Sequence, residues 1–291
     1  MTMYEWSEIF SSIEAESRYT GRPTIYIRFA RCNFQCRGFN NPEMKEITND
    51  VLGFDPTEYT NLKDIPPIKI SCDSIYSWDT RFQHMWHKGD ENELADAVVD
   101  LLPHKSWIHP ITGTKIILSL TGGEPTLRAK TIPTLLMTPQ FSDLRHVLFE
   151  TNCAVPLKDS FIEKLNEWTE KRNGFVTWSN SPKLSISGEK WEEAIRPDIA
   201  DKQRGVYRSE QYFKFVCGPN EEDFIEVRNA MKLYNKSYRL GGSPEVYIMP
   251  VACVGEQQQE ISERVARMCI EWGYIYCHRV QLDVFKDQIG T

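Results

Sequence analysis

Six short runs rich in β-branched and aromatic residues alternate with helical stretches along this chain, and that alternation restricts the fold more than any other feature. The runs are 24–30, 115–120, 146–151, 175–179, 212–217 and 245–250, each dominated by Ile, Val, Phe, Tyr or Leu, as strands are. Between them the pattern predicts helices over 91–102, 160–172, 221–234 and 257–273. The last carries Ile261, Val265, Met268, Cys269 and Trp272 at helical spacing, and Gly273 stops it. Strands separated by helices argue for an α/β fold with a parallel sheet. About six strands suit a partial barrel as well as an open doubly wound sheet, and both gather active groups where strands end and loops begin.

Two segments interrupt the rhythm. Residues 37–71 are polar and carry Asn40-Asn41-Pro42, Asp55-Pro56 and Pro66-Pro67; residues 184–208 form a second irregular or helical stretch. Neither has the composition of a free linker, so the expectation is one domain over 1–291 with insertions near 37–71 and 184–208. The 291 residues are 41% hydrophobic and 26% charged, enough for a sizeable core. A net charge of -7 offers no support for a phosphate-tracking nucleic-acid partner. The opening MTMYEWSEIF lacks a basic region followed by an apolar run, and no apolar stretch approaches about 18 residues, so neither secretion nor a membrane is expected. A cytoplasmic protein keeps its thiols reduced. Its eight cysteines then call for metal binding, catalysis or burial. Cys153, Cys217, Cys253, Cys269 and Cys277 lie singly and are expected to be small buried hydrophobes.

Cys32-Asn33-Phe34-Gln35-Cys36 is different, because it directly follows the first strand. A C-x-x-x-C loop presents two soft thiolates, which suit iron–sulfur sites; zinc ribbons favour C-x-x-C pairs, and the chain has none. Two incidental thiols would explain the spacing equally well were it alone. Thr121-Gly122-Gly123-Glu124-Pro125, Glu150-Thr151-Asn152 and Ser181-Pro182-Lys183 end the next three strands. Paired glycines admit a ligand close to the backbone, and a carboxylate beside them can engage an ammonium group. Polar groups converging from consecutive strand ends make a site for a charged, polar ligand.

In this order, these motifs resemble the radical S-adenosylmethionine (SAM) superfamily, and more narrowly its 7-carboxy-7-deazaguanine synthase family. Residues 8–16 are similar to that family's opening, which carries a substrate-binding Gln-Gly-Glu-Gly turn; here Glu14 and Ala15 replace Gln and Gly, and Ser17 replaces the last Gly. Thr20-Gly21-Arg22-Pro23, Ile27-Arg28-Phe29, residues 212–216 and Met249-Pro250 also fit. The superfamily's usual third cysteine falls at Phe39, but Cys72-Asp73-Ser74 supplies the pattern after the first insertion.

The resemblance implies an incomplete TIM-like β/α barrel of about six parallel strands. It implies a 4Fe-4S cluster on Cys32, Cys36 and Cys72, with the fourth iron open to SAM. It places Gly122, Gly123 and Glu124 at the methionine end of SAM, Glu150 and Asn152 near its ribose, and Ser181 and Lys183 on its polar groups. Ile13, Glu14, Ala15, Glu16, Arg28, Asp73 and Thr121 should surround a pterin-like substrate, with Arg28 holding a carboxylate bidentately. Either Gln281 or His278 should join them. Ser74 offers a hydroxyl to Mg2+. The implied reaction is the radical ring contraction of 6-carboxy-5,6,7,8-tetrahydropterin to 7-carboxy-7-deazaguanine with loss of ammonia, a lyase step of queuosine biosynthesis. A flavodoxin or ferredoxin reductant and a homodimer come with it. Two rivals share the cysteines: a glycyl-radical activase, and a non-catalytic metal-binding regulatory homologue. His84 and His87 are expected at the surface or in packing, while Trp78, Phe82 and Trp86 are expected to wall the cluster.

Overall fold

The computed structural model describes residues 3–237 and 243–290. Among them, nine strands form one sheet: β1 (Tyr4–Ile13), β2 (Pro23–Phe29), β3 (His87–Gly89), β4 (Ile117–Gly122), β5 (His146–Thr151), β6 (Phe175–Asn180), β7 (Ser209–Cys217), β8 (Val246–Pro250) and β9 (Ile275–Tyr276). Their order is β3-β1-β2-β4-β5-β6-β7-β8-β9. Every pairing from β2 to β9 is parallel, while β1 runs antiparallel to both β2 and β3. The six predicted strands are thus the six parallel strands of full length, and β9 adds only two residues. The antiparallel edge was not predicted. Tyr4–Ile13 mixes Ser and Glu with its apolar residues, and their burial follows no clean alternation.

The helices are α1 (Asn49–Leu52), α2 (Glu91–Asp100), α3 (Ile132–Leu136), α4 (Asp159–Arg172), α5 (Trp191–Ala194), α6 (Pro197–Gln203), α7 (Glu221–Tyr234), α8 (Gly255–Trp272) and α9 (Val280–Val284). The four predicted helices correspond to α2, α4, α7 and α8. Asp90 caps α2 by accepting from the amides of Asn92 and Glu93, and Glu93 reaches back to the Asp90 amide. Gly273 ends α8 in the left-handed conformation, at φ 73°.

The main core lies between sheet and helices, where Leu118, Phe149, Trp178 and Phe213 are buried. Phe149 stacks on Trp178 at 4.5 Å and meets the edge of Phe161 from α4. Ile47, Leu52, Leu62, Ile65 and Ile68 of the first insertion build a separate small core with Ile75 and Phe82 of the segment that follows it, and Ile289 packs on it.

The sheet curls. Phe10 and Ile13 of β1, Tyr26 and Arg28 of β2, Thr121 of β4, Glu150 of β5, Ser179 of β6, Lys214 of β7 and Met249 of β8 all line one cavity of about 210 Å³. A flat sheet would spread these seven strands over roughly 29 Å, at about 4.8 Å per step. Only a curved sheet brings them round one chamber, so the architecture is an incomplete barrel. Its side chains alternate between the outer core and the chamber, as barrel strands require.

Phe149→Ala should cost about 3–5 kcal/mol of stability, since it empties the contact with both Trp178 and Phe161; urea unfolding of the purified protein measures it.

Candidate active site

The loop carrying Cys32 and Cys36 leaves β2 and is clamped by the end of β4. The amide of Gly123 donates to the Phe29 carbonyl at 3.0 Å, and that of Glu124 to the Arg31 carbonyl at 2.9 Å. A Cβ on Gly123 would stand 2.1 Å from Arg31 O, and one on Gly122 2.2 Å from Phe29 O. Gly122 also has φ 128°. The paired glycines line the cavity, and they are required because one backbone docks on another.

Cys32, Cys36 and Cys72 all line that cavity as free thiols. They pack with Phe34, Phe39, Ala154 and Ala194. Burial, then the charge of Glu124, pushes the Cys32 thiol up to about 12. Burial raises Cys36 and Cys72 in the same direction. Three thiols so placed are neutral without a cation to hold their thiolates, and iron supplies one. Among the described residues no three His, Cys, Asp or Glu side chains gather round a single ion. A four-iron cluster distributes its thiolates over separate irons, so the donor set fits a cluster.

The polar tripeptides part company in their roles. Glu124 is fully buried. Its Oε1 accepts from the Thr126 amide and hydroxyl and from the Thr151 hydroxyl, and its Oε2 accepts from the Asn152 amide at 2.7 Å. It is not among the residues lining the cavity, and through these bonds it ties β4 to the end of β5. Asn152 does reach the cavity, donating to Asn33 Oδ1 at 2.8 Å within the cysteine loop. Glu150 accepts from Thr121 Oγ1 at 2.7 Å. Lys183 Nζ lies 3.4 Å from Ser181 Oγ and 5.9 Å from the centre of the Phe39 ring. Arg28, Lys183, Lys214 and Arg279 are the cations lining the cavity. The other three pair with Glu8, Glu16 and Asp73, so Lys183 is the one without a carboxylate partner among the described residues.

The opposite half of the cavity is a chain of paired charges. Lys214 holds Glu16, and Gln281 Nε2 lies 3.5 Å from Glu16 Oε1. Glu14 is almost wholly buried and accepts from the Tyr26 hydroxyl at 3.2 Å. Its burial, then the charges of Glu150 and Glu16, raises its pKa well above the ordinary 4.5. Ala15 is buried, and its carbonyl accepts from the Val280 amide at 3.1 Å. Arg28 donates through Nε to Glu8 at 2.7 Å and through Nη1 to Ser74 Oγ at 2.8 Å. These contacts take up Nε and one Nη1 hydrogen, so a ligand would meet Arg28 through its remaining N–H groups. Ser74 Oγ also donates to Asp73 Oδ1 at 3.1 Å, and Asp73 pairs with Arg279 at 2.8 Å. Ser74 Oγ thus already accepts from the Arg28 guanidinium, and a Mg2+ ion at this hydroxyl would have to displace that contact.

Gln281, and not His278, reaches the cavity. His278 instead contacts Gln258, Tyr276 and Asp283. Trp78 lines the cavity, whereas Phe82 packs in the small core beside the first insertion and Trp86 donates to the Tyr76 carbonyl. Cys253, expected to be core, also lines the cavity, where its Sγ lies 3.4 Å from the Ser71 carbonyl. Lys214 and Arg279 were not anticipated as site residues. Lys214 left a signal, a cation at an inward position in Tyr212-Phe213-Lys214-Phe215; Arg279 left none. Beyond the Arg28–Ser74–Asp73–Arg279 layer lies a smaller chamber of about 120 Å³, walled by residues 286–290.

Gly123→Ala should lower stability by about 1–3 kcal/mol or more and cut iron content after anaerobic reconstitution, as read by thermal melting and iron assay. Glu14 gives a second test. Because its folded pKa is raised, the stability tied to its proton is complete below 4.5 and is lost as pH climbs toward the folded value. Glu14→Gln removes this slope, so the variant should gain on the unmodified protein as pH rises above 4.5 in parallel denaturant titrations.

No protein-family model matches the chain. Sequence relatives do. The 7-carboxy-7-deazaguanine synthase of Pyrobaculum aerophilum is 24% identical over 289 residues, covering 97% of this chain and 95% of the relative. That of Methanopyrus kandleri is 24% identical over 247 residues, covering 84% and 79%, and that of Hyperthermus butylicus is 22% identical over 281 residues, covering 94% and 90%. The crystal structure of QueE from Escherichia coli aligns at 15% identity with a TM-score of 0.48, over 96% of this chain and 94% of that one; a likeness at that level carries no weight. No helix among the described residues is long and apolar enough to cross a membrane. By its sequence relatives, this chain is related along nearly its whole length to enzymes named 7-carboxy-7-deazaguanine synthase.

Proposed function

We propose that this chain is a single-domain radical SAM lyase that converts 6-carboxy-5,6,7,8-tetrahydropterin to 7-carboxy-7-deazaguanine with loss of ammonia, in queuosine or 7-deazapurine biosynthesis. One observation carries the reading: three free thiols converge on a cavity whose other half is lined by charged and polar groups from the strand ends. Cys32, Cys36 and Cys72 would hold a 4Fe-4S cluster and leave one iron open. With SAM, the cluster would supply one-electron cleavage of a sulfonium C–S bond and abstraction of a substrate hydrogen.

The chain's own groups position the reactants. Among the described residues Lys183 has no carboxylate partner, and it sits beside the cysteines, which suits the carboxylate of SAM. Gly122, Gly123 and Ser181 line the same side. Glu150 and Asn152 are assigned to its ribose. Glu14, Glu16, Thr121 and Gln281 offer donors and acceptors to a flat heterocycle, and Arg28, Lys214, Asp73 and Arg279 bound it. The curved sheet and Trp78 enclose the chamber, and exclusion of water protects a reactive species from quenching. A flavodoxin or ferredoxin would deliver the electron, and the active form is a homodimer in this reading.

Anaerobic incubation of the reconstituted protein with SAM, reductant and the carboxytetrahydropterin should release 7-carboxy-7-deazaguanine, detected by mass spectrometry; SAM cleavage without that product rejects the substrate. Lys183→Met should weaken SAM binding roughly ten- to a hundredfold while leaving iron content unchanged, as measured by equilibrium dialysis.

A further inference from the structure

The cysteine loop is gripped from a second side, by the insertion at 184–208. Glu189 Oε1 accepts from the backbone amides of both Gln35, at 2.8 Å, and Cys36, at 2.7 Å. Nearby, the Gly38 amide donates to the Ser187 carbonyl at 2.9 Å. Gly38 has no room for a side chain, because a Cβ would stand 2.4 Å from Ile186 O. Ala194 of α5 is fully buried in the apolar group around the cysteines. The segment is itself braced: the Ser187 hydroxyl donates to the Leu184 carbonyl at 2.6 Å, and the Glu189 amide lies 3.2 Å from Ser187 Oγ. Among the described residues Glu189 forms no ion pair, so its charge faces the loop with no counter-ion.

Cluster potentials respond to net charge and to hydrogen bonds on the sulfurs. Glu189 acts on both. It withdraws two amides of the ligand loop from any sulfur, one of them belonging to Cys36 itself. It also sets a carboxylate beside that cysteine. Both effects oppose the arrival of an electron, and so make the reduced state a stronger donor.

We propose that Glu189 is a positioning residue that fixes the Cys36 loop and holds the reduction potential of the cluster low. The inference rests on the cluster assignment, and it does not depend on which substrate is bound.

Potentiometric titration followed by electron paramagnetic resonance, on anaerobically reconstituted protein without SAM or substrate, tests it. Glu189→Gln keeps an acceptor oxygen but loses the charge, so its potential should shift upward. Glu189→Asp keeps the charge and should stay closer to the unmodified protein. Equal potentials for Glu189→Gln and the unmodified protein would overturn the inference while leaving the cluster assignment intact. Failure of the unmodified protein to take up iron would overturn both. Amide hydrogen exchange of the peptide 31–38 in the cluster-free protein gives a readout that needs no metal. Glu189→Ala should exchange roughly tenfold faster there, the loss of charge-assisted hydrogen bonds being of that order, and unchanged exchange would also overturn the inference.

Discussion

The contact on which the site depends is the docking of one backbone against another at Gly122 and Gly123. No side chain fits between the end of β4 and residues 29–32. That closeness lets two amides of the β4 turn donate directly to the carbonyls of Phe29 and Arg31, and it places Cys32 over the floor made by β4 and β5. Glu124 then uses both carboxylate oxygens to bind β5, so the cysteine loop, the glycine turn and Asn152 form one connected unit. A buried carboxylate is tolerable because four donors surround it; with fewer, the same burial would destabilise the fold.

The parallel strands were legible because each is a short apolar run, buried on both faces, with turn residues at its end. The four long helices were legible from their spacing and from stops such as Gly273. The antiparallel end of the sheet was not, since Tyr4–Ile13 lies between β3 and β2 with a face that contacts the polar chamber and so lacks a plain alternating pattern. The curvature was not legible either. It follows from which side chains point inward along seven strands, a property of the assembled sheet and not of any one segment.

At the site, motifs announced residues but not roles. The cysteines, Asn152, Ser181 and Lys183 line the chamber, yet Glu124 is not among its lining residues and Arg28 spends two of its donors on Glu8 and Ser74. Residue type and order cannot show such internal partners, because the partners come from distant segments: Ser74 is 46 positions from Arg28, and Asp73 is 206 from Arg279. Gln281 and His278 were indistinguishable in sequence, and the start of α9 separates them by turning one inward. The insertions, opaque as loops, have clear physical tasks. The first packs a small apolar core with the segment that follows it and brings Cys72 to the chamber, and the second grips the opposite cysteine loop.

The pairing of Glu16 with Lys214, of Arg28 with Glu8, and of Asp73 with Arg279 gives each cation in this half of the chamber a carboxylate from the chain itself. An anionic guest entering this half is thus not drawn in by an open cation; it must displace an existing partner and offer equal bonding in return. Selectivity then works by exchange, and a compound of the right overall charge but the wrong outline would leave behind a stranded ion that nothing nearby can neutralise.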